Sequence, residues 1–196
     1  MTLLAFDALV SQVRHAPARA GATRVLAVDG PAGSGKSTLA ARLAARLGAP
    51  VLTMDDIYPG WDGLAEAAAL VVRSVLEPLT LDRPARYRRY DWIRHEYADL
   101  VDIPAAPVLA LEGCACGSRI VAPYLSLLLW VEAPRDVRFG RGIARDGEKF
   151  RPHWERWARQ EESLFAAEGT RERADYRIDG APTAAHDPAE TVVLLD

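Results

Sequence analysis

Short apolar runs alternate along this chain with stretches whose apolar positions recur every three or four residues, and that alternation sets the expected architecture. Residues 24–29, 51–54, 108–111, 126–131 and 176–178 are nearly continuous apolar runs, the pattern of strands buried on both faces of a parallel sheet. Between them, 36–47, 64–76, 135–146 and 153–167 read as helices: Leu39, Leu43 and Leu47 fall four apart, and Leu64, Ala68, Val71 and Val75 share one stripe. Strands alternating with helices predict an α/β fold, a doubly wound five-stranded parallel sheet with helices on both faces. The first fifteen residues carry Leu3, Leu4, Phe6, Leu9, Val10 and Val13 and are expected to form one amphipathic packing helix. Residues 83–92 and 96–103 mix aromatic and polar side chains and predict a β-ribbon standing off the main sheet.

Composition narrows the function classes. The chain has 196 residues, 49% of them apolar, enough for one domain with a real core. A net charge of −3 argues against a general nucleic-acid binder, which needs a basic surface. The longest apolar run, 125–131, is interrupted by Ser126 and closed by Glu132, far short of a membrane span, and the N-terminus lacks a basic leader. A cytoplasmic protein without membrane or nucleic-acid partners is expected. Cys114 and Cys116 are too few for a disulfide framework or a structural zinc site and read as reduced small residues at a strand end.

The chemistry concentrates first in Gly30-Pro-Ala-Gly-Ser-Gly-Lys-Ser-Thr38, set between an apolar strand and a helix. Gly30, Gly33 and Gly35 let the chain curl so that its N–H groups, with Ala32, Ser34 and Thr38 in the same turn, cradle a di- or triphosphate. Lys36 adds a point charge for the β and γ phosphates, and Ser37 offers a hydroxyl to Mg²⁺. ATP and Mg²⁺ are therefore the expected cofactors.

A phosphoryl transferase also needs an acid beside the acceptor hydroxyl, an acid near the metal, and cations over the transferring group. Asp55 and Asp56 end the second strand, and Asp55 is the candidate to receive the hydroxyl proton. Glu112 closes the third core strand and is the candidate metal ligand alongside Ser37. Arg138, Arg141 and Arg145 share one face of the helix after the fourth strand and are expected to close as a lid, with Arg141 and Arg145 catalytic and Arg138 facing a substrate. The chain is expected to be one domain, 1–196, with an acceptor-binding insertion at about 57–106 and a lid at about 138–160.

In these pieces the chain resembles the uridine kinase group of P-loop nucleoside kinases, whose relatives include phosphoribulokinase and bacterial pantothenate kinase. The matching segments are 30–38, Asp55-Asp56-Ile57-Tyr58, Tyr90-Asp91-Trp92-Ile93-Arg94-His95, Glu112-Gly113, and the series from Arg138 to Asp146, in the same order and across most of residues 24–146. The resemblance implies a P-loop NTPase fold and a kinase acting on a small-molecule acceptor, above all a pyrimidine nucleoside. It implies that Asp55 is the catalytic carboxylate, that Tyr90 and His95 touch the base, that Asp62 holds ribose hydroxyls, and that Arg177, Asp179, Gly180 and Pro182 lie where the purine of the donor sits. Two departures bear on the acceptor: Glu96-Tyr97 follow the ribbon histidine, and an aromatic stretch with Phe150, His153, Trp154 and Trp157 replaces a lid rich in Arg and Gly. Trp154 and Trp157 are expected to anchor a helix to the core. Arg83, Arg86, Arg88, Arg89 and Arg94 on the ribbon are either a solvated face or the mark of an anionic acceptor, such as a nucleoside monophosphate or a sugar phosphate. From another class, a nucleotide-dependent regulatory protein or slow NTPase would share the loop.

Overall fold

Five parallel strands form the centre of the sheet, in the computed structural model, which describes residues 2–148 and 150–196. Residues 1 and 149, the first position of the expected N-terminal helix and one position of the expected lid, lie outside the described residues. The strands are β1 (Thr2–Ala5), β2 (Arg24–Asp29), β3 (Val51–Thr53), the ribbon pair β4 (Ala85–Asp91) and β5 (Glu96–Ile103), then β6 (Val108–Glu112), β7 (Leu127–Glu132), β8 (Tyr176–Asp179) and β9 (Thr191–Leu194). The main sheet has the order β1-β9-β8-β7-β2-β6-β3, and every neighbouring pair from β8 to β3 is parallel. Each predicted core run thus becomes a parallel strand.

The sheet exceeds the expected five strands by two. Thr2–Ala5 pairs antiparallel with Thr191–Leu194, and β9 in turn lies antiparallel to β8. The N-terminal segment is therefore a strand followed by helix α1 (Phe6–His15), not one helix. Phe6, Leu9, Val10 and Val13 keep the helical stripe and are buried, whereas Leu3 is largely exposed. Cross-strand partners for the backbone outweigh local helical tendency at Thr2–Ala5, and they come from the far end of the chain, beyond the reach of periodicity.

Alternation along the strands sends side chains into two cores. On one face, Leu26, Val28, Leu129 and Val131 pack with α1 and with Leu39, Ala40 and Leu43 of α2 (Lys36–Leu47). On the other, Val25, Ala27, Leu109 and Leu111 pack against α3 (Leu64–Val71), a π-helical turn (Val72–Leu76) and Trp157. The expected helix over 64–76 thus widens into a π turn and runs on into α4 (Glu77–Thr80). Helices α5 (Arg135–Asp146), α6 (Arg151–Glu168) and α7 (Thr170–Arg173) complete the chain. Trp154 and Trp157 are buried, as expected of helix anchors. Both cysteines are buried and free.

The ribbon forms its own two-stranded sheet. In β4, Ala85 and Tyr87 turn inward while Arg86, Arg88 and Arg89 face solvent. Its turn is closed by Asp91, whose carboxylate accepts N–H bonds from Ile93 (2.8 Å) and Arg94 (3.0 Å), with His95 at a positive φ of 58°. Three polar contacts moor it beside the sheet: Tyr87 Oη donates to Asp56 (2.8 Å), Trp92 Nε1 to the Asp55 carbonyl (2.8 Å), and Tyr97 Oη to the Ile57 carbonyl (3.0 Å). Among the described residues, no helix is long and apolar enough to cross a membrane.

Leu111 is fully buried in β6 at the centre of the sheet. Leu111→Ala should lower the unfolding free energy by about 2–5 kcal/mol in urea titration, the range for deleting a core leucine.

Candidate active site

Strand β2 and helix α2 hold the two ends of a six-residue turn, 30–35, and the turn is packed too closely to tolerate side chains at key points. Gly33 has a φ of 77°, and a Cβ there would sit 2.3 Å from the Arg138 carbonyl oxygen of α5. Gly180, just after β8, presses its backbone on the same turn: a Cβ there would lie 1.9 Å from the Ser34 carbonyl oxygen. Ala32, Gly33, Gly35, Lys36, Ser37 and Thr38 line a cleft of about 880 Å³, while Gly30 and Ser34 lie beneath its surface. The Ser34 hydroxyl is buried with no hydrogen-bond partner among the described residues.

Lys36 is only 7% exposed. Its ammonium donates to the Pro31 carbonyl (2.9 Å) and forms no ion pair among the described residues. Burial disfavours the charge, but Cys114, Glu161, Glu112 and Asp29 around it outweigh that and hold the pKa above the ordinary lysine value. The turn therefore presents a permanent cation without a direct counter-ion, the electrostatic setting for a polyphosphate.

Four acids surround this cation. Glu112 ends β6, and its carboxylate accepts a hydrogen bond from Ser37 Oγ (3.1 Å). Ser37 and Glu112 are hard oxygen donors on one side of the cleft, a set that suits Mg²⁺. Asp55 lies in the single turn Met54–Asp56 after β3 and projects into the cleft. The enclosing walls push its carboxyl above the usual aspartate range, and Arg145 opposes part of that shift. Asp56 is held by Tyr87 and serves to moor the ribbon.

Asp29 and Glu161 were not among the candidates from sequence. Asp29 is fully buried at the end of β2 and accepts N–H bonds from Gly30 (2.6 Å) and Gly117 (2.7 Å). Burial lifts its pKa to about 7, against those bonds and Lys36. The reasoning that selected Glu112, an acid closing an apolar strand beside the loop, applies equally to Asp29. Glu161, in the middle of α6, reaches under the loop and accepts the Ala32 N–H (2.6 Å).

The lid arginines separate into different roles. Arg141 points its guanidinium at the Gly33 and Ser34 carbonyls, 3.4 Å from each. Arg145 lines the cleft and makes a two-pronged pair with Asp146 (2.8 and 2.7 Å). Arg138, expected to face a substrate, instead braces the protein: it donates to the Ala133 (3.1 Å) and Ala32 (3.3 Å) carbonyls and lies 3.8 Å from Glu161. At this crowded approach of α5 to the loop, the Ala32 carbonyl and Glu161 draw Arg138 inward.

Aromatic rings form a further wall of the cleft. Trp61 stacks on His153 (4.2 Å between centroids, 4° between planes) and contacts Trp92 (4.9 Å), Phe150 (5.8 Å) and Trp157 (6.0 Å). His95 and Ile93 of the ribbon turn lie at its mouth. Tyr90, expected at the base, is one layer behind, with its ring edge-on to Trp92 and Tyr97 (5.4 Å each) and its hydroxyl against Gly60. Asp62, expected at a ribose, is exposed outside the cleft and paired with Arg156. The five ribbon arginines do not line the cleft; Arg86 pairs with Asp102 (2.9 Å) and Arg89 with Asp99 (2.5 Å) on the ribbon itself. A smaller cavity of about 420 Å³ lies across Arg141, lined by Thr38, Arg42 and residues 179–182, the region where the resemblance sets the purine.

Comparison with known proteins agrees with this geometry. A family model described as cytidylate kinase matches residues 26–71, from β2 through the loop to α3. A cytidylate kinase of Caulobacter vibrioides is 30% identical over 196 residues, covering 88% of this chain and 86% of that protein. A cytidylate kinase of Granulibacter bethesdensis is 31% identical over 193 residues, covering 88% of each. Among solved structures, a possible uridine kinase from Bacillus stearothermophilus superposes with a TM-score of 0.63 at 20% identity, covering 88% of this chain and 96% of that one, a likeness of fold.

Gly33→Ala should weaken Mg·ATP binding about tenfold or more in calorimetry, because the positive φ and the Arg138 carbonyl together force the loop open. The raised Asp29 pKa has a definite sign. The folded state holds the proton between about pH 4 and about 7 while the unfolded chain releases it, so stability falls with rising pH across that window. The unfolding free energy of the wild type relative to Asp29→Asn should decline by up to about 1.4 kcal/mol per pH unit there, and level off above about pH 7.

Proposed function

We propose that this chain, which belongs to the cytidylate kinase family of P-loop kinases, transfers the γ-phosphate of Mg·ATP to a hydroxyl of an uncharged pyrimidine nucleoside. The observation that carries the reading is the meeting, in one cleft, of the phosphate loop, the Asp55 carboxylate and the Arg145 guanidinium. The loop amides and Lys36 bind the β and γ phosphates and fix the donor. Ser37 and Glu112 hold the metal, whose charge, when it is bound, offsets that of the phosphate oxygens. Asp55 receives the proton of the acceptor hydroxyl, and its raised pKa makes it a better proton acceptor than an ordinary aspartate. Arg141 and Arg145 lie on the lid side, where they stabilise charge on the transferring phosphoryl group and help exclude water.

The acceptor assignment rests on the aromatic wall. Stacked indole and imidazole rings suit a flat heterocycle, and no ribbon arginine reaches that side to meet a second phosphate. His95 at the mouth is the ribbon residue suited to contact the base. A nucleoside monophosphate is the second reading, favoured by the names of the relatives.

Uridine, cytidine, UMP and CMP should each be incubated with Mg·ATP and the products separated. Phosphorylation of the nucleosides alone supports the first reading, and of the monophosphates alone the second. Hydrolysis of ATP with no acceptor phosphorylated would instead point to a regulatory NTPase. Asp55→Asn should reduce kcat by about a hundredfold or more while Mg·ATP still binds. In the wild type, kcat/KM should rise with pH through a value above the ordinary aspartate pKa, as Asp55 loses its proton. Replacing Arg86 and Arg88 together by alanine should leave the KM for a nucleoside within about twofold, and a large rise in acceptor KM would favour an anionic acceptor.

A further inference from the structure

Glu161 stands where the phosphate loop, the lid helix and the aromatic wall of the cleft meet. Its carboxylate is 3% exposed, and one oxygen, Oε1, accepts three hydrogen bonds: from the Ala32 N–H of the loop (2.6 Å), from Trp157 Nε1 on the acceptor wall (2.9 Å) and from Cys114 Sγ beyond β6 (3.0 Å). The other oxygen, Oε2, faces the Arg138 guanidinium of the lid helix at 3.8 Å. Arg138 in turn donates to the Ala32 carbonyl, so the peptide groups on either side of Ala32 are gripped, the N–H by α6 and the carbonyl by α5.

The bond to Ala32 has a chemical consequence. An amide in a phosphate loop contributes to anion binding only if it faces inward, and the Ala32 N–H is instead spent on a carboxylate. The turn is thereby pinned at its first half, which leaves the later amides and Lys36 to face the phosphates. The ring of Trp157 lines the acceptor side and packs edge-on to Tyr58 (4.9 Å) and Trp61 (6.0 Å), so anything that shifts this wall pulls on the atom that holds the loop.

We propose that Glu161 is a positioning residue that sets the shape of the phosphate loop and couples it mechanically to Trp157 on the acceptor wall. This rests on the reading of residues 30–38 as the nucleotide site. Charge is essential to the role. A neutral amide of the same size keeps one acceptor oxygen but turns an NH₂ group toward Arg138 and weakens the bonds from Ala32, Trp157 and Cys114.

The test uses the full chain and Mg·ATP alone, with no acceptor. Wild type should bind Mg·ATP in calorimetry and change its tryptophan emission on binding. Glu161→Gln, with its fold checked by circular dichroism, should bind about tenfold or more weakly and lose most of the emission change at saturation. Trp157→Phe should still give a heat of Mg·ATP binding while losing the emission change, and this variant decides the matter if Glu161→Gln does not fold. A folded Glu161→Gln with wild-type affinity, or a Trp157→Phe that keeps the full emission change, overturns the proposal. A wild type that binds no Mg·ATP overturns the nucleotide-site reading itself, and this inference with it.

Discussion

A buried ammonium without a direct counter-ion is the constraint around which the rest of the molecule is arranged. Lys36 keeps its charge at 7% exposure because Cys114, Glu161, Glu112 and Asp29 around it outweigh desolvation, and none of them forms an ion pair with it among the described residues. If one of these acids closed on it, the positive site would be cancelled; without them, desolvation would lower its pKa. Each acid is therefore held elsewhere by its own partners. Asp29 is tied to backbone N–H groups, Glu112 to Ser37, and Glu161 to Ala32, Trp157 and Cys114. The hydrogen bonds that satisfy the carboxylates are also the ones that fix the loop and the ends of β2 and β6.

This arrangement explains why the surrounding backbone is so tightly packed. The lid helix and the segment after β8 approach the loop until only glycine fits at positions 33 and 180. Close packing holds the turn in the shape that presents Lys36 to the cleft. The two larger elements that flank the cleft, α6 and the ribbon, are in turn anchored to the residues that bear the chemistry: α6 through Glu161, the ribbon through Asp56 and the Asp55 carbonyl.

Much of this was legible in the sequence because it depends on local pattern. The five parallel strands follow from continuous apolar runs, and the phosphate loop follows from the spacing of Gly33, Gly35, Lys36 and Ser37 between a strand and a helix. The ribbon follows from the aromatic and polar side chains mixed through 83–92 and 96–103. What was not legible depends on contacts between distant segments. Thr2–Ala5 becomes a strand because Thr191–Leu194 offers it an edge. Arg138 shares a stripe with Arg141, yet it turns inward because the Ala32 carbonyl and Glu161 lie in its path. Asp62 and Tyr90 fit a motif in sequence, but Arg156 holds one outside the cleft and Trp92 stands before the other. Glu161 had no motif to reveal it, because its partners come from the loop, β6 and its own helix.

The division of charge across the cleft bears on the proposed acceptor. Lys36, Arg141 and Arg145 line the cleft from the loop and α5, and the rings of Trp61, Trp92, Phe150, His153 and Trp157 line the rest of it. Among the described residues, the aromatic part of the lining carries no guanidinium or ammonium of its own, so a second phosphate brought against those rings would leave water at a cost that ring contacts do not repay. A flat uncharged heterocycle loses little on leaving water and gains stacking and dispersion against the indoles. The ribbon arginines do not alter this balance, because none of the five lines the cleft, and Arg86 and Arg89 pair with Asp102 and Asp99 of the neighbouring strand. The same wall connects through Trp157 to Glu161 and the loop, so a ring seated there would press on the element that grips the donor. Acceptor recognition and donor positioning would then draw on one packed unit, with the wall selecting for shape and the loop for charge.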